Sequence, residues 1–510
     1  MDPLTLGIDV GTSTTKAVLA DPHGKVLRSA AASYEFSKPR PNWVEQRPED
    51  WWEAVCRVIQ ALFEEQSEAP DHIAAVGISG QGVAAVLVDR QGKPLRPAIL
   101  WLDSRSTPEA MELQRRYGGR IASVSGKSPA PYNVEPKLLW VKRNEPEIWD
   151  STWKVMTTAA YITFRLTGQA VVNYSDGGIL LAYDLARRAW SQELLDRMEL
   201  PASIYCELVP CDQVVGSVTP EAARMTGLRP GTPVVGGGED TSCAGLAMGV
   251  TSPECAQLSM GSASTLYVPL TRVTLDPRLL AFPHVIEGLT LVGGSMVGGG
   301  IAMEWAVKVL GGAKDAATSD EYHKLTEEGR TIPAGSEGLI FLPYLSGELQ
   351  PINDGFARGV FFGLNLFKTR AHLVRAVMEG TAYAIAHNLM ITRELGAKVE
   401  NLIAVGGPTR NSLWCQIIAD VTGLPVQVME ERGGAALGDA ILAALGARLI
   451  DSPEKMQQAH AVTGDRFAPN EDHYERHQQL LAIYMDLYPR LQDLFPRLSG
   501  SSQSNKVAEC

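Results

Sequence analysis

Two adjacent acids, Glu239 and Asp240, follow three glycines in the segment GTPVVGGGEDTSCAGLA at 231–247. A β-type run precedes the glycines and small residues follow the acids, so the pattern predicts a strand-to-helix junction. Glycines let a ligand approach the backbone closely, and a carboxylate beside it can accept a proton from a substrate hydroxyl. The sequence makes Asp240 the candidate general base and Glu239 its rival, with a helix N-cap as the structural alternative.

A second polar cluster is the turn GTSTT, which lies between two β-type runs at 6–21. Clustered backbone amides and hydroxyls in such a turn can cradle a phosphate. Asp9, at the end of the first run, has the oxygen chemistry to hold Mg²⁺ through water, and Lys16 could neutralise phosphate charge. An ordinary polar hairpin turn is the alternative.

Two glycine-rich segments, at 293–312 and 401–423, each precede a helical pattern. Exposed amides at such turns bind phosphates, and glycines let a nucleoside lie against the backbone, although packing alone also explains them. The conventional phosphate loop is absent, because SGKS at 125–128 has Ile121 where that loop needs glycine. A dinucleotide-binding fold has little support, since no GxGxxG follows a strand.

The segment LRPAILWLDSRS at 95–106 predicts a strand that brings out Asp103 and Arg105 on one face, below Trp101. An acid and a base beside an aromatic ring suit a polyhydroxylated ligand, because each can bond sugar hydroxyls. A plain surface ion pair is the alternative.

Alternating short β-type runs and helical stretches must position these residues, and this alternation predicts an α/β fold. One helix is expected near 48–66, with Pro48 in its first turn. The hairpin-like segments 6–21 and 256–270 resemble each other, each with a Gly-Ser/Thr turn between two strands. Their separation predicts two similar domains that meet across a cleft, with a boundary near 245–255.

The 510 residues include 46 basic and 58 acidic side chains, for a net charge of −12, and 45% are hydrophobic. A chain of this composition has ample core and lacks the excess Lys and Arg that binds nucleic acid or membrane surfaces. Seven cysteines form no CxxC pair, and His473 with His477 is best explained as a solvated helix face, so no metal cluster is expected. No apolar stretch approaches a membrane span, and a cytoplasmic location is expected.

Taken together, the motifs resemble the FGGY carbohydrate kinases of the actin-like, RNase H-like ATPase superfamily, and the xylulokinase branch is the most similar. The resemblance spans about 4–490. Its motifs are GIDVGTSTTK at 7–16, WVEQRPEDWW at 43–52, GISGQG at 77–82, WLDSR at 101–105, GGGEDTSCAG at 236–245, MGSAST at 260–265, LPYLSGE at 342–348, ARGVFFGL at 357–364 and AVGGPTRN at 404–411.

The resemblance implies two actin-like domains with an ATP and sugar cleft between them. The N-terminal domain, 1–250, would hold the sugar and the first phosphate turn, and the C-terminal domain, 251–490, would bind the nucleotide. Residues 491–510 are expected to form a flexible tail. The activity implied is a carbohydrate kinase with ATP and Mg²⁺, and the family suggests a homodimer.

The resemblance also implies roles for single residues, with Asp240 as the general base and Asp9 near Mg²⁺. The predicted nucleotide contacts are Gly11, Thr12, Ser13, Thr14, Lys16, Gly261, Ser262, Gly300, Glu304, Gly406, Gly407 and Asn411. The sugar contacts predicted from the residues and the resemblance are Gln81, Trp101, Asp103, Arg105, Tyr132, Asp240 and Thr241.

Departures from the family pattern concern recognition more than phosphoryl transfer. Many xylulokinases have QMHG where this chain has Gln81-Gly82-Val83-Ala84, so a ketose-contacting histidine is missing, and the residue after the base is Thr241. A ketopentose such as xylulose is the favoured acceptor, with ribulose, a tetritol, glycerol and gluconate as alternatives. Two non-enzymatic alternatives are an ATP and sugar sensor and an actin-like switch, and the sugar-type motifs disfavour the switch.

Overall fold

The computed structural model describes residues 2–64, 69–272, 274–313, 318–429, 433–453 and 464–498. Two mixed sheets of seven strands each form the framework, one built before residue 240 and the other after residue 254. Helices pack on both sheets, which confirms the α/β prediction.

The first half of the chain contributes the first sheet and four small two-stranded sheets. Its strands are β1 (Leu4–Val10), β2 (Thr14–Ala20), β3 (Val26–Ser33), β4 (Glu45–Gln46), β5 (Ile73–Gly80), β6 (Val86–Val88), β7 (Ala98–Ile99), β8 (Lys154–Met156), β9 (Val171–Asn173), β10 (Tyr183–Asp184), β11 (Ala189–Trp190), β12 (Glu207–Val209), β13 (Val214–Ser217), β14 (Pro233–Val235) and β15 (Gly238–Glu239). Its α-helices are α1 (Pro48–Phe63), α2 (Thr107–Ser125), α3 (Val134–Asn144), α4 (Pro146–Ser151), α5 (Thr158–Thr167), α6 (Tyr174–Gly177), α7 (Gln192–Met198), α8 (Pro220–Thr226) and α9 (Asp240–Ala247). The sheet has the order β13-β14-β5-β1-β2-β3, with β15 beside β5.

The second half forms a sheet of order β18-β19-β17-β16-β22-β23-β24. The strands of this sheet are β16 (Cys255–Met260), β17 (Ser264–Leu270), β18 (Leu280–Pro283), β19 (Thr290–Met296), β22 (Asn401–Val405), β23 (Val426–Val428) and β24 (Arg466–Phe467). Strands β20 (Ile340–Leu342) and β21 (Val360–Phe362) pair in a separate two-stranded sheet. The α-helices of this half are α10 (Gly300–Val309), α11 (Ser319–Arg330), α12 (Arg370–Glu394), α13 (Ser412–Thr422), α14 (Gly434–Gly446) and α15 (Glu471–Leu491).

The two hairpins predicted to resemble each other occupy the same place in the two sheets. Strand β1 pairs antiparallel with β2 and parallel with β5, and β16 pairs antiparallel with β17 and parallel with β22. Each hairpin turns through a short Gly-Ser/Thr segment, at 11–13 and at 261–263. The predicted similarity of the hairpins is therefore confirmed.

Helix α1 begins where the sequence predicts, with Pro48 in its first turn and acids at the next two positions. Pro48 fits there because the first turn has no partner for its missing N–H, and acids favour the positive end of the helix dipole. Its apolar face, which includes Trp51 and Ile59, is buried in the core of the first half. The helix thereby covers the sheet beside β2 and β3.

Helix α14 belongs to the second half of the sequence but packs on the first sheet. A Cβ placed on Gly7 of β1 would lie 1.8 Å from the carbonyl oxygen of Ala436, and one on Gly77 of β5 would lie 2.2 Å from that of Asp439. A Cβ placed on Gly438 would lie 2.0 Å from the carbonyl oxygen of Cys243 in α9. These glycines bring the helix backbone against two strands and a second helix. The domain boundary near 250 stays a prediction.

Two sequence predictions concern the C-terminal helix and the residues after it. The prediction of a solvated His473 and His477 face is wrong for His477, which is fully buried with Nδ1 2.9 Å from the hydroxyl of Tyr383. Of the predicted tail, Phe495 is buried in the core, and residues 499–510 lie outside the described residues. In the described part of the chain, no helix is long and apolar enough to cross a membrane.

We predict that Gly7→Ala destabilises the protein, because its new Cβ would overlap the backbone of α14. Overpacking of this kind costs about 1–3 kcal/mol. Gly119→Ala is the matched control, since that exposed glycine lies inside α2 with nothing within 4 Å of a new Cβ. Alanine there should stabilise by about 0.5–1 kcal/mol. Urea unfolding measures both changes, and equal stability of the two variants would contradict the packing argument.

Candidate active site

Three neighbouring strands of the first sheet end at one edge, and the candidate residues follow them there. Val10 of β1 and Glu239 of β15 both stand opposite Gly80 of β5, in parallel pairings. Gln81 continues from this edge and its backbone N–H donates to the carbonyl of Val10 at 2.8 Å. Ligands of open α/β sheets bind outside the carboxyl ends of parallel strands. The turn after β1, the loop after β5 and Asp240 therefore converge on one place.

The structure separates the two adjacent acids by burial. The side chain of Glu239 is the N-cap of α9, and its Oε2 accepts the backbone N–H of Ser242 at 2.9 Å. Burial, together with the nearby charge of Asp240, raises the pKa of Glu239 well above its ordinary value. Asp240 is partly exposed and lines a cavity, with Oδ1 accepting the backbone N–H of Thr241 at 2.7 Å. The predicted strand-to-helix junction is confirmed, and Glu239 rather than Asp240 caps the helix.

A cavity of about 450 Å³ opens beside Asp240, within the range of small-ligand sites. Both halves of the chain line it. The predicted site residues in its wall are Asp9, Lys16, Asp240, Thr241, Gly261 and Gly406. The first turn of α14, from Gly434, lines the cavity as well.

Asp9 is half-buried, and its Oδ1 atom is buried without a hydrogen-bond partner. Burial and then the charge of Asp240 raise its pKa to about 7, while Lys16 and a hydrogen bond from Ser79 oppose the rise. Asp9 lines the cavity, and a carboxylate with an unpartnered oxygen fits Mg²⁺, which binds one or two carboxylates and fills its other positions with water and phosphate. No group of three or more metal-binding side chains occurs in the described residues, which is compatible with such a sparse site.

The turn after β1 is held by side chains from three other segments. The hydroxyl of Tyr34 donates to the carbonyl of Gly11 at 2.6 Å, and the amide of Gln46 donates to the carbonyl of Thr12 at 2.6 Å. The indole N–H of Trp101 donates to the hydroxyl of Thr12 at 3.0 Å. These three hydrogen bonds fix the turn relative to the segments that carry Tyr34, Gln46 and Trp101.

Two other predicted residues of this turn differ in their surroundings. Ser13 is exposed, and the hydroxyl of Thr14 lies 3.3 Å from that of Ser33. None of Gly11, Thr12, Ser13 and Thr14 is among the residues that line the 450 Å³ cavity. Their predicted phosphate contacts stay a prediction.

A second cavity, of about 630 Å³, adjoins the first at Gly261. Its wall brings together Gly261, Ser262, Gly300, Glu304, Gly407 and Asn411, which were all predicted as nucleotide contacts. The carbonyls of Gly261 and Ser262 accept N–H groups from the start of α10, at 2.8 Å and 3.0 Å. The Gly261 turn is thus held directly against the first turn of α10.

Three residues near this second cavity have defined local roles. Gly406 has a φ of 108°, and a Cβ there would lie 2.0 Å from the carbonyl of Met260, so only glycine fits. Asn411 caps α13 by accepting the N–H of Trp414 at 3.2 Å. Glu304 forms an exposed ion pair with Lys308.

Gln81, a predicted sugar contact, is buried in a chain of amide hydrogen bonds. Its Nε2 donates to Oε1 of Gln46 at 2.9 Å, and the same oxygen accepts the indole N–H of Trp51 at 3.0 Å. The Oε1 atom of Gln81 is buried without a partner. The side chain is fixed at one end and has an unused acceptor, as a ligand-binding amide needs.

The prediction that Asp103 and Arg105 lie on a strand is wrong, since β7 ends at Ile99 and a turn follows. The two side chains are buried and bond each other, with Arg105 Nη2 2.7 Å from Asp103 Oδ2. Asp103 also accepts the backbone N–H of Val44 at 2.6 Å, and the Arg105 guanidinium lies 3.7 Å from the ring centre of Trp43. This pair supports the turn that carries Trp101, and direct sugar contacts by Asp103 or Arg105 stay a prediction.

Sequence reasoning did not identify several residues that support the site. Ser79 donates to the buried carboxyl of Asp439 at 2.5 Å, beneath Asp9, and Gln257 donates to the carbonyl of Thr241 at 3.1 Å. Asp439 was detectable as the single acid in the small-residue run GGAALGDAILAALG. Ser79 and Gln46 lie inside two of the family motifs, but nothing in the sequence alone distinguishes them from their neighbours.

Comparison with known proteins gives matches along almost the whole chain. The family model described as "FGGY family of carbohydrate kinases, N-terminal domain" matches residues 4–247, and its C-terminal counterpart matches 256–447. Xylulose kinase of Escherichia coli (strain K12) is 32% identical over 494 residues, which cover 94% of this chain and 99% of that protein. Gluconokinase of Bacillus licheniformis is 27% identical over 99% of both chains. The crystal structure of xylulose kinase from Rhodospirillum rubrum superposes with a TM-score of 0.92 at 32% identity, covering 96% of this chain and 99% of that one.

We predict that Glu239→Ala is less stable than Glu239→Gln by about 0.5–2 kcal/mol, the range measured for lost N-caps. The glutamine retains an oxygen that can accept the N–H of Ser242, whereas alanine leaves that group without a partner. Urea unfolding of both variants gives the difference. Equal stability would show that the carboxyl oxygen does not cap α9.

A buried histidine supports α9 from the second half of the chain and generates a pH prediction. The Nδ1 atom of His284 accepts the N–H of Ile286 at 2.8 Å, and Nε2 lies 3.2 Å from the carbonyl of Val250. The next residue, Val285, donates its N–H to Ser242 of α9. Burial lowers the pKa of His284 from 6.5 to about 4.

Between pH 6.5 and about 4, His284 binds a proton more readily in the unfolded state than in the folded state. The free energy of unfolding therefore falls as the pH drops through this range. His284→Asn, which keeps an acceptor for Ile286 but does not titrate, should lose less stability over the same range. Urea unfolding at several pH values measures this loss. The exposed His23→Asn is the control and should follow the unmodified protein, and an unchanged pH dependence in His284→Asn would refute the assignment.

Proposed function

Because the chain belongs to the FGGY family of carbohydrate kinases, we propose that it transfers the γ-phosphoryl group of ATP to a terminal hydroxyl of a small sugar. A ketopentose such as xylulose is the favoured acceptor. The observation that carries the proposal is the position of Asp240, which faces a cavity bounded by both halves of the chain while Glu239 is committed to capping. A carboxylate so placed suits a general base for a hydroxyl.

The proposed mechanism depends on positioning. Asp240 accepts the proton of the acceptor hydroxyl as the hydroxyl oxygen attacks the γ-phosphorus, the bond between that phosphorus and the bridging oxygen breaks, and ADP leaves. Lys16 and the amides of the Gly261 turn balance the charge of the transferring phosphoryl oxygens. Mg²⁺, when bound with ATP, would neutralise charge on the phosphate oxygens, and Asp9 is the residue that would hold it. The second cavity, which begins at the same turn, would receive the nucleoside.

Both halves of the chain line the cavity, so a change in the angle between them would alter the access of water to it. We expect the acceptor to favour the closed arrangement, because excluding water prevents hydrolysis of ATP. The homodimer and the cytoplasmic location predicted from the sequence stay predictions.

The identity of the acceptor is supported by the relatives and opposed by one residue. Relatives named xylulose kinase favour a ketopentose. The chain has Val83 where the family resemblance leads us to expect a histidine that contacts the ketose, and one relative of nearly equal length is named gluconokinase. A sugar acid such as gluconate is therefore the second candidate, and ribulose, tetritols and glycerol complete the set to be tested.

We predict that Asp240→Asn lowers turnover by about 10²–10⁴-fold, the usual contribution of a general base, while ATP binding is retained. The measurement is ADP release with Mg·ATP against D- and L-ketopentoses, tetritols, pentitols, glycerol and gluconate, together with calorimetric titration of ATP. Glu239→Gln is the matched control, because it replaces the neighbouring acid by an amide of the same length and keeps an oxygen for the cap.

One strong acceptor that depends on Asp240 would support the proposal and name the substrate. Full activity of Asp240→Asn, with loss in Glu239→Gln, would transfer the role of base to Glu239. Silence across the whole panel, with a sugar still raising the affinity for ATP, would favour the sensor and contradict the kinase reaction.

A further inference from the structure

Val83, in the loop after β5, has a backbone conformation that its side chain disfavours. Its φ is 49°, in the left-handed region, and valine is β-branched. A β-branched residue rarely adopts this region, and such residues persist only where the surrounding structure holds them. The loop also carries Gln81, and a Cβ on Gly82 would lie 3.8 Å from Oε1 of Glu239. The loop that carries the strained residue therefore passes beside Glu239.

Lys137 holds this residue from helix α3. Its side chain is fully buried, and Nζ donates to the carbonyl of Val83 at 2.7 Å and to the carbonyl of Tyr132 at 2.7 Å. Burying an ammonium group is costly unless its N–H groups find acceptors. Burial lowers the pKa of Lys137 to about 7, against the charges of Asp103 and Glu135. One buried amine thus binds the carbonyls of two separate segments, the Val83 loop (81–85) and the Tyr132 segment (130–134).

The two carbonyls belong to segments that both carry predicted sugar contacts. One segment contains Gln81, with its unused Oε1, and the other contains Tyr132, which is half-buried. Besides burial, Glu239, Tyr132 and Asp240 each raise the pKa of Tyr267, so the second segment and the two acids have Tyr267 as a common neighbour. Removing Lys137 would release both segments at once.

We propose that Lys137 is a positioning residue of the acceptor site, which fixes the Val83 loop and the Tyr132 segment and so determines acceptor affinity. It touches no reacting atom, and its effect passes through the two carbonyls that it binds. The inference rests on the proposed function, because it concerns a residue that supports the acceptor pocket of the proposed kinase.

The alternative is that Lys137 is only a structural support, and the chain contains a matched control for that. Lys127 is equally enclosed, and its Nζ donates to the carbonyls of Ser125, Gly178 and Ala281. Burial lowers its pKa to about 7 as well. None of these carbonyls belongs to the Val83 loop or the Tyr132 segment. Comparing Lys137→Met with Lys127→Met therefore separates the general cost of losing a buried lysine from an effect on the acceptor.

Kinetics provide the first test. We expect Lys137→Met to raise the KM for the acceptor about tenfold or more, because it leaves the carbonyls of Val83 and Tyr132 without their shared donor, and to leave the KM for ATP within about twofold. Lys127→Met should leave both KM values within about twofold. Parallel rises of both KM values in Lys137→Met, or equal rises of the acceptor KM in the two variants, would overturn the proposal.

A double-mutant cycle tests the link to the strained residue. Glycine takes a positive φ without strain, so a loop with Val83→Gly needs less help to hold its shape. In that background, Lys137→Met should raise the acceptor KM by only about threefold. The same increase in both backgrounds would overturn the proposal. If Lys137→Met does not fold, Lys137→Arg, which keeps a charged donor of different reach, replaces it in the cycle.

Amide hydrogen exchange of the free protein tests the inference without any catalytic reaction. Lys137→Met should accelerate exchange in both 81–85 and 130–134, whereas Lys127→Met should change neither. Unchanged exchange in these segments would overturn the inference even where the sugar is phosphorylated. Absence of phosphorylation in the unmodified protein, with accelerated exchange in Lys137→Met, would overturn the proposed function and leave the support of these loops by Lys137 standing.

Discussion

The close contact of helix α14 with strands β1 and β5 is the constraint on which the rest of the structure depends. Gly7 and Gly77 have no side chains, so the helix backbone lies directly on the sheet, and Gly438 lets α9 approach from the other side. Because α14 comes from the second half of the sequence, this contact ties that part of the chain to the first sheet. Its first turn then lines the cavity that Asp9 and Asp240 also line. A larger residue at any of these positions would overlap the backbone of α14 or of α9.

The same packing creates the electrostatic character of the site. It buries Asp439 under Ser79, and the charge of Asp9 raises the pKa of Asp439 further, after burial. Four acids, Asp9, Glu239, Asp240 and Asp439, therefore lie in one region but in different surroundings. Glu239 and Asp439 are buried and bound within the protein, whereas Asp9 has a free oxygen and Asp240 is partly exposed at the cavity. Burial and partners, and not residue type, decide which acid can act on a ligand.

How much of this arrangement could be predicted from the sequence depends on the range of the contacts involved. The two hairpins, the junction at Asp240 and the glycine turns at Gly261 and Gly407 are local patterns, and the structure has them where the sequence predicts them. The first cavity also joins Asp9, Lys16 and Asp240, because strand pairing brings their strands to one edge.

Features that depend on distant partners could not be predicted in this way. The burial of His477 depends on Tyr383, 94 residues earlier, and the bond between Ser79 and Asp439 spans 360 residues. Arg105 is enclosed by Trp43 and Trp140 from other segments, so its expected place on an open strand was wrong. A pattern of residues shows which side chain is polar, but only the fold shows which polar atoms remain without a partner.

The division between backbone and side chains explains why the reaction is better determined than the acceptor. The phosphate contacts that we propose come from the turns at Gly11 and Gly261, whose backbone amides most substitutions leave in place as long as the turn survives. The acceptor contacts that we propose come from side chains such as Gln81 and Tyr132, on loops whose shape is held by other side chains. A single substitution there can change the hydroxyl pattern that fits without disturbing phosphoryl transfer. Val83 stands where a histidine is expected on the proposed acceptor side, and for that reason we expect it to bear more on which sugar binds than on phosphoryl transfer.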